Sequence, residues 1–433
     1  MISFGEAFRF WLKLGFISFG GPTGQIAIMH EELVERRRWI SESRFLHALN
    51  YCMLLPGPEA TQLATYIGWL MHRTWGGIVA GVLFVLPSVV LLIALSWIYL
   101  AYGNLPLVAG VFYGIKPAVV AIVVAAAHRI GSRALKNAWL WSIAAAAFVA
   151  IFAFNAPFPA IVITAALIGY FGGRYAPERF SASRAHATAA ARHEPAMIDD
   201  DTPTPPHARF SWRKLWLYAS GGVLIWGLAI VAVQAWAPTL FDMAWFFTKA
   251  ALLTFGGAYA VLPYVYQGGV DHYGWLTAAQ MIDGLALGET TPGPLIMVVA
   301  FIGFVGGWTR ELFGAGSLAA AGIAGALVAT FFTFLPSFVF ILVGAPFIET
   351  THGDLRFTAP LAGITAAVVG VVLNLAVFFA YHVLWPDGLD GRLEWFSALL
   401  GLAAFVALFR FKAGVIPVIA ACAAIGLLAR LIL

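Results

Sequence analysis

Charge is what this chain has least of. Only 11% of its 433 residues are Asp, Glu, Lys or Arg, against 61% hydrophobic, and the mean hydropathy is +0.86. A soluble domain carries about 25% charged residues, so a water-exposed globule is excluded. Cysteine is nearly absent too. Cys52 and Cys422 both sit in apolar runs; they could pair, but they read as two buried thiols, and no disulfide or zinc framework can be built from them. There is no Gly-rich phosphate loop ending in Lys-Ser/Thr, no His-Glu-x-x-His and no Cys/His metal spacing, so neither a catalytic constellation nor a bound metal or cofactor is expected. A net charge of +4 without a basic block points away from nucleic acid. The N-terminus shows no charged n-region or small-residue cleavage site, so no signal peptide is read.

What the chain does have is a second copy of itself. Phe10, Lys13, Phe19, Gly20 and Gly21 recur 236 positions on as Phe246, Lys249, Phe255, Gly256 and Gly257, and Trp39 recurs as Trp275. Pro56-Gly57-Pro58 recurs as Pro292-Gly293-Pro294. Later the offset is 249: Leu86-Pro87-Ser88 matches Leu335-Pro336-Ser337, and Gly114-Ile115 matches Gly363-Ile364. A duplicated apolar unit whose shared residues break helices is the mark of a secondary transporter.

These patterns predict an all-α polytopic membrane protein. The expected domains are an N-terminal repeat over 1–177, a disordered cytoplasmic linker over 178–214, a connecting transmembrane helix over 215–236 and a C-terminal repeat over 237–433. The linker's Ser, Ala, His, Arg and Pro residues cannot bury enough apolar surface to offset the entropy of ordering. Its His186, His193 and His207 with Asp199-Asp200-Asp201 could make a metal site, but a plain polar tract is the preferred reading. Nine uninterrupted spans are expected at 76–101, 106–128, 137–153, 157–173, 215–236, 316–346, 358–384, 395–409 and 413–432. The stretches 4–30, 45–71, 243–266 and 279–307 are each interrupted by a repeated breaker. They either span, giving thirteen helices, or return as re-entrant hairpins. Hairpins place Arg36-Arg37-Arg38 and Arg44 on the cytoplasmic side with Arg73 and the linker, as the positive-inside rule asks. With one unmatched helix between the units, the second repeat is expected to be inverted relative to the first.

Irregular backbone within a membrane survives only where protein or a water-filled cavity satisfies it. Gly20, Gly21 and Gly57, with Gly256, Gly257 and Gly293, therefore mark candidate substrate contacts, each break leaving a half-helix N-terminus suited to an anion. Close helix packing is the alternative. Lys13 and Lys249 are equivalent cations in apolar runs, and Lys116 lies just after Gly114-Ile115. A lysine there is costly unless it faces a cavity or partner, and its compact charge suits a tetrahedral dianion; snorkelling to a headgroup is the competing reading. Glu59 and Glu289 flank the proline motifs, and His47 and Asp283 occupy equivalent positions upstream. These four serve either proton coupling or fixed ion pairs. Gln25, Thr61, Gln62, Thr290 and Thr291 add neutral hydrogen-bonding groups near the breaks.

Phe19-Gly20-Gly21-Pro22-x-Gly24-Gln25, Trp39-Ile40 and Leu54-Leu55-Pro56-Gly57-Pro58-Glu59-Ala60-Thr61-Gln62-Leu63, with Thr254-Phe255-Gly256-Gly257 and Gly288-Glu289-Thr290-Thr291-Pro292-Gly293-Pro294 in the second half, carry a family resemblance. The chain resembles the chromate transporters of the CHR superfamily in their long two-domain form, over nearly everything outside the linker. The resemblance implies export of chromate from the bacterial cytoplasm across the inner membrane, driven by the proton or ion gradient and conferring resistance. Sulfate has chromate's charge and shape, so a sulfate or other oxyanion uptake or exchange carrier is the alternative. An integral-membrane enzyme acting on a lipid-linked substrate and a passive channel are readings from other classes. The enzyme lacks a soluble catalytic loop, and saturable, gradient-dependent flux would separate a carrier from a channel. Whether the protein is a homodimer is left open.

Overall fold

The structure is a computed structural model that describes residues 2–19, 21–180, 196–199, 202, 205–255, 257–349 and 358–432. It is helical throughout; the only extended pairing among the described residues is a parallel bridge between Ile40 and Ile198. The first half contains α1 (Phe4–Ile17), α2 (Gly21–His30), a π-helical turn at Glu31–Arg36, α3 (Glu42–Cys52), α4 (Glu59–Tyr102), α5 (Pro106–Ala134), α6 (Ala138–Phe154), α7 (Phe158–Tyr175) and the short α8 (Pro177–Phe180). After the linker come α9 (Trp212–Trp236), α10 (Pro238–Leu252), α11 (Leu262–Tyr266), a π-helical turn at Gln267–His272, α12 (Ala278–Thr290), α13 (Val298–Thr309), α14 (Leu318–Ile348), α15 (Thr358–Leu384), α16 (Trp395–Phe409) and α17 (Val415–Ile432).

The repeat holds at the level of single residues. The two π-helical turns, the starts of α3 and α12, and the start of α4 and of the 3-10 turn at Leu295–Met297 that opens α13 are each 236 apart. Positive φ recurs with the same spacing at Gly21 and Gly257, Arg38 and Gly274, and Gly57 and Gly293. Helices α7 and α17 keep an offset of 257, as do the left-handed residues Asn155 and Lys412 that precede them.

Each interrupted stretch is a hairpin. Phe10 in α1 meets Trp39 with ring centres 5.0 Å apart, and its mate Phe246 in α10 meets Trp275 at 5.5 Å. Arg44 at the start of α3 and Tyr66 late in the first arm of α4 both hold Glu349. In the second half Gly284 of α12 lies against Phe301 of α13, and Gly288 against Val298. The arms run from about 10 to 15 residues, a rise of about 15–22 Å, short of the ~30 Å hydrocarbon core. Helix α4 itself reverses at His72 and Arg73, whose backbone is not helical: Thr65 lies against Gly77 and Gly81, and Gly68 against Gly76 and Ala80. Helices α13 and α14 make the same antiparallel pair through Gly303 and Gly325.

Seven helices among the described residues are long and apolar enough to cross a membrane, namely the Glu59–Tyr102 and Pro106–Ala134 helices, Phe158–Tyr175, Trp212–Trp236, Ala315–Phe347, Ala359–Leu384 and Val415–Ile432. Helices α6 and α16, expected as spans, are apolar but shorter. The chain is an all-α polytopic membrane protein.

Its two halves are interlaced. Helices α16 and α17 pack on α5 of the first half, while α6 and α7 pack on α15 of the second. Gly114 abuts the Cys422 carbonyl and Gly426, and its mate Gly363 abuts the Ala165 carbonyl and Gly169. Both seams run antiparallel, Gly110 meeting Leu427 where Gly114 meets Cys422, and Gly169 meeting Ala359 where Gly363 meets Ala165. Cys52 and Cys422 are both buried and unpaired.

Within the 178–214 segment, expected as a mobile linker, the described pieces are seated on both halves, Phe210 meeting Phe347 of the second with ring centres 4.6 Å apart. Met197 and Ile198 donate their N–H groups to the Arg38 and Trp39 carbonyls at 2.9 and 3.1 Å. The His207 ring nitrogen lies 3.1 Å from the Trp69 carbonyl oxygen. His186 and His193 lie outside the described residues.

Because Gly114 touches backbone directly, Gly114→Val should cost about 1–3 kcal/mol through overpacking, lowering the melting temperature of the detergent-solubilised protein. Gly5→Ala, with nothing near its added Cβ, should leave it unchanged or slightly higher.

Candidate functional site

The breaks meet across the halves, and each Pro-Gly-Pro break donates to the residue ahead of the opposite half's glycine break. The Gly57 N–H donates to the Thr254 carbonyl at 2.8 Å, and the Gly293 N–H donates to the Ser18 carbonyl at 2.7 Å. Gly57 and Gly293 are repeat mates, as are Ser18 and Thr254, so one contact is the two-fold image of the other. The side-chain environment follows the same rule: Gly57 faces the Ser337 hydroxyl and Gly293 faces Ser88. Left-handed φ values of +120° and +102° at these glycines are conformations that a side chain would resist, and a Cβ there would also strike the facing serine.

Around this crossing is a buried polar set. Gln25 donates from Nε2 to the Gly293 carbonyl at 2.5 Å, and Gln62 from Nε2 to the Pro56 carbonyl at 2.8 Å. Ser18, Gln25, Thr61, Gln62, Ser88 and Ser337 are almost wholly buried, yet the hydroxyls of the serines and Thr61 and the Oε1 atoms of both glutamines have no hydrogen-bond partner among the described residues. A buried polar group without a partner costs about 1–3 kcal/mol. Several in one place, on backbone already held out of regular structure, form a surface that a polar ligand would complete.

Helix termini add a field. Helix α2 begins at Gly21 and α4 at Glu59, so two half-helix N-termini with free N–H groups arise from breaks in the first half. Glu59, at the first position of α4, is buried and has neither a hydrogen bond nor an ion pair among the described residues. Its repeat mate is Leu295.

The other expected site residues are distributed as follows. Lys116 and Asp283 form an ion pair across the halves at 3.5 Å, with Asp283 buried and accepting also from the Tyr99 hydroxyl at 2.8 Å. Glu289 accepts from the Tyr259 hydroxyl. Thr290 and Thr291 return their hydroxyls to the Ala286 and Gly288 carbonyls, at 3.1 and 3.2 Å. His47 is half-buried on α3. Gly20 and Gly256 lie outside the described residues. Lys13 is exposed in a groove with Glu6, Arg9, Phe10 and Arg37 near the outer end of α1, and Lys249 is half-buried with its ammonium 5.9 Å over the Trp245 ring. None of these neighbours is a break residue.

Ser18, Ser88, Thr254 and Ser337 were not singled out by sequence. The signal was present: Ser88 and Ser337 end the repeated Leu-Pro-Ser motif, and Ser18 and Thr254 are both small hydroxyl residues two or three positions before the repeated glycines.

Removing one member of the Lys116–Asp283 pair leaves a buried charge alone. Lys116→Met should cost about 3 kcal/mol, given the partial exposure of the lysine, and adding Asp283→Leu should recover most of it. Thermal melts of the two variants check this.

Comparisons with known proteins bear on the family. A family model described as chromate transporter matches residues 5–170 and 241–427. The chain is 31% identical to the chromate transport protein of Cupriavidus metallidurans over 97% of its own length and 92% of that protein's. It is 34% identical to the chromate transport protein of Pseudomonas aeruginosa over 86% and 80% respectively. It is 29% identical to the probable chromate transport protein of Synechococcus elongatus over 85% and 82%. No solved structure matches. With both repeats covered by the family model, the chain belongs to the chromate transporter family.

Proposed function

We propose that this protein is a secondary active carrier that exports chromate from the cytoplasm across the inner membrane, driven by the proton or ion gradient, with the anion bound where the four breaks cross. The observation that carries the reading is the reciprocal pair of breaks ringed by buried oxygens that have no partner among the described residues. The hydroxyls of Ser18, Thr61, Ser88 and Ser337 can donate to the oxygens of a tetrahedral anion, and the N-termini of α2 and α4 supply partial positive charge. Lys13 and Lys249 act before binding in this scheme, as cations outside the crossing that raise the local anion concentration.

The two repeats are inverted in this proposal. Helices α5, α6 and α7 are joined by short turns, so α5 and α7 run the same way, while the Gly169 and Gly363 contacts set α15 antiparallel to α7. Helix α15 is the mate of α5, so the mates run oppositely. A pseudo-two-fold axis in the membrane plane then passes through the crossing, and rocking one half against the other opens the site to each side in turn.

The membrane potential favours this direction. At 100 mV, negative inside, about 2.3 kcal/mol is gained per negative charge moved outward, hence about 4.6 kcal/mol for a dianion alone and about 2.3 kcal/mol if one proton travels with it. Glu59 is the proton site in this scheme. Ionised, it repels an oxyanion at the same helix N-terminus; protonated, it admits one, so the proton leaves with the anion and export draws on the electrical part of the gradient, which the net negative charge descends. Glu289, already held by Tyr259, and Asp283, already paired with Lys116, keep structural roles.

The test is uptake of labelled chromate into energised inside-out vesicles. Saturable uptake that a protonophore abolishes supports gradient-driven export, and the absence of uptake above control vesicles removes the chromate reading. Inhibition by excess sulfate measures how far a site of hydroxyls and helix ends separates two anions of one shape. Ser88→Ala and Ser337→Ala should each reduce flux about tenfold, the loss of one hydrogen bond to a charged group, with unchanged melting because neither hydroxyl has a partner among the described residues. Glu59→Gln should keep the acid-side affinity and lose the weakening of binding that wild type shows as pH rises.

A further inference from the structure

Helix α9 has no repeat mate and is mostly exposed, with Val223, Leu224, Leu228 and Val231 all facing outward. It packs mainly on α14 and α10. Between it, the second arm of α4 and α14 lies a groove of 580 Å³ whose walls are almost entirely apolar. The α4 wall extends from Thr74 to Val89, about 22 Å along the helix, longer than the hydrocarbon of one leaflet at about 15 Å. Exposed Val82, Leu86, Leu327 and Phe331 stand at its margin, so it opens sideways. One end is polar: the Thr74 and Tyr218 hydroxyls meet there at 2.7 Å.

That polar end is also cationic. Arg73 precedes Thr74 and is exposed, and Lys214 is one turn before Tyr218, its ammonium donating to the Pro206 and His207 carbonyls at 3.3 and 3.2 Å. The His207 imidazole is held below its ordinary range by burial, and Arg73 and Lys214 both add to the effect. Among the described residues no carboxylate acts on it. Two cations thus converge on one spot at the mouth of an apolar groove, on the side that the positive-inside rule makes cytoplasmic.

We propose that this groove binds an anionic phospholipid, one acyl chain lying between α4, α9 and α14 and the headgroup phosphate held by Arg73 and Lys214. The bound chain backs the two helices that carry the central serines: Val85 and Val89 flank Ser88, and Leu335, Phe338 and Val339 flank Ser337. The lipid therefore fills the space on which the α4–α14 contact rests and ties the unmatched helix to both halves.

The test is lipid retention by the delipidated full-length protein, read by native mass spectrometry with dioleoyl phosphatidylglycerol or dioleoyl phosphatidylcholine. Phosphatidylglycerol should bind roughly tenfold tighter or more, the expectation for two basic groups near an anionic headgroup. Arg73→Gln with Lys214→Gln should bring the two lipids to parity, because both charges are removed while long polar side chains are kept. Gly221→Phe should weaken both lipids, because a Cβ at Gly221 meets nothing within 4 Å and projects from a residue lining the groove. Equal binding of the two lipids by wild type, or wild-type retention by Gly221→Phe, overturns the proposal. No anion flux enters the measurement, so it stands or falls separately from the transport reading.

Discussion

Two backbone hydrogen bonds hold the centre of this molecule together: Gly57 to Thr254 and Gly293 to Ser18. An N–H group in a left-handed bend has no helical partner, and hydrocarbon offers none. Each half therefore depends on the other for the polar satisfaction of its own break. The arrangement fixes which residues can face the crossing. It also explains why small hydroxyl residues stand opposite each glycine, since anything larger would separate the backbones that must touch.

Departures from symmetry are where chemistry is added. The equivalents of Lys116 and Asp283 are Thr365 and His47, and that of Arg44 is Gln280, so the cross-half ion pairs of Lys116 with Asp283 and of Arg44 with Glu349 are each made once. Glu59 likewise has a leucine as its mate. The tight reversal inside α4 at His72 and Arg73 becomes a longer turn between α13 and α14. In the inverted arrangement proposed above, identical halves would meet the two sides of the membrane identically. One carboxylate and these ion pairs make the two faces different.

Much of this was legible from residues. Helix-breaking glycines and prolines in an apolar duplication located all four breaks, because only backbone irregularity keeps such residues together within a span. The hairpin reading of those stretches also followed from where Arg36, Arg37 and Arg38 fall. The orientation of side chains was harder. An isolated lysine in an apolar run announces a cost but not the direction in which it is relieved. Lys13 shares a helical stripe with Glu6 and Arg9, at spacings of seven and four, and that stripe is polar and exposed. The serines were overlooked because a hydroxyl in a membrane helix usually returns to its own backbone, as Thr290, Thr291 and Thr333 do. Only the packing reveals those that do not. The π-helical turns at 31–36 and 267–272 have no propensity signature, and the seating of Ile198 beside Ile40 depends on a contact distant in sequence.

The interlaced halves bear on how the protein is made. Helix α5 ends at Ala134, and its glycine face waits for α17, which begins at Val415. At roughly 5–20 residues per second, the ribosome needs on the order of 15–60 s to supply the missing partner. Through that interval Gly110 and Gly114 face lipid or a passing insertase. The first half cannot mature as a unit while the second is being synthesised, and assembly becomes a single late event after the last helix has left the ribosome.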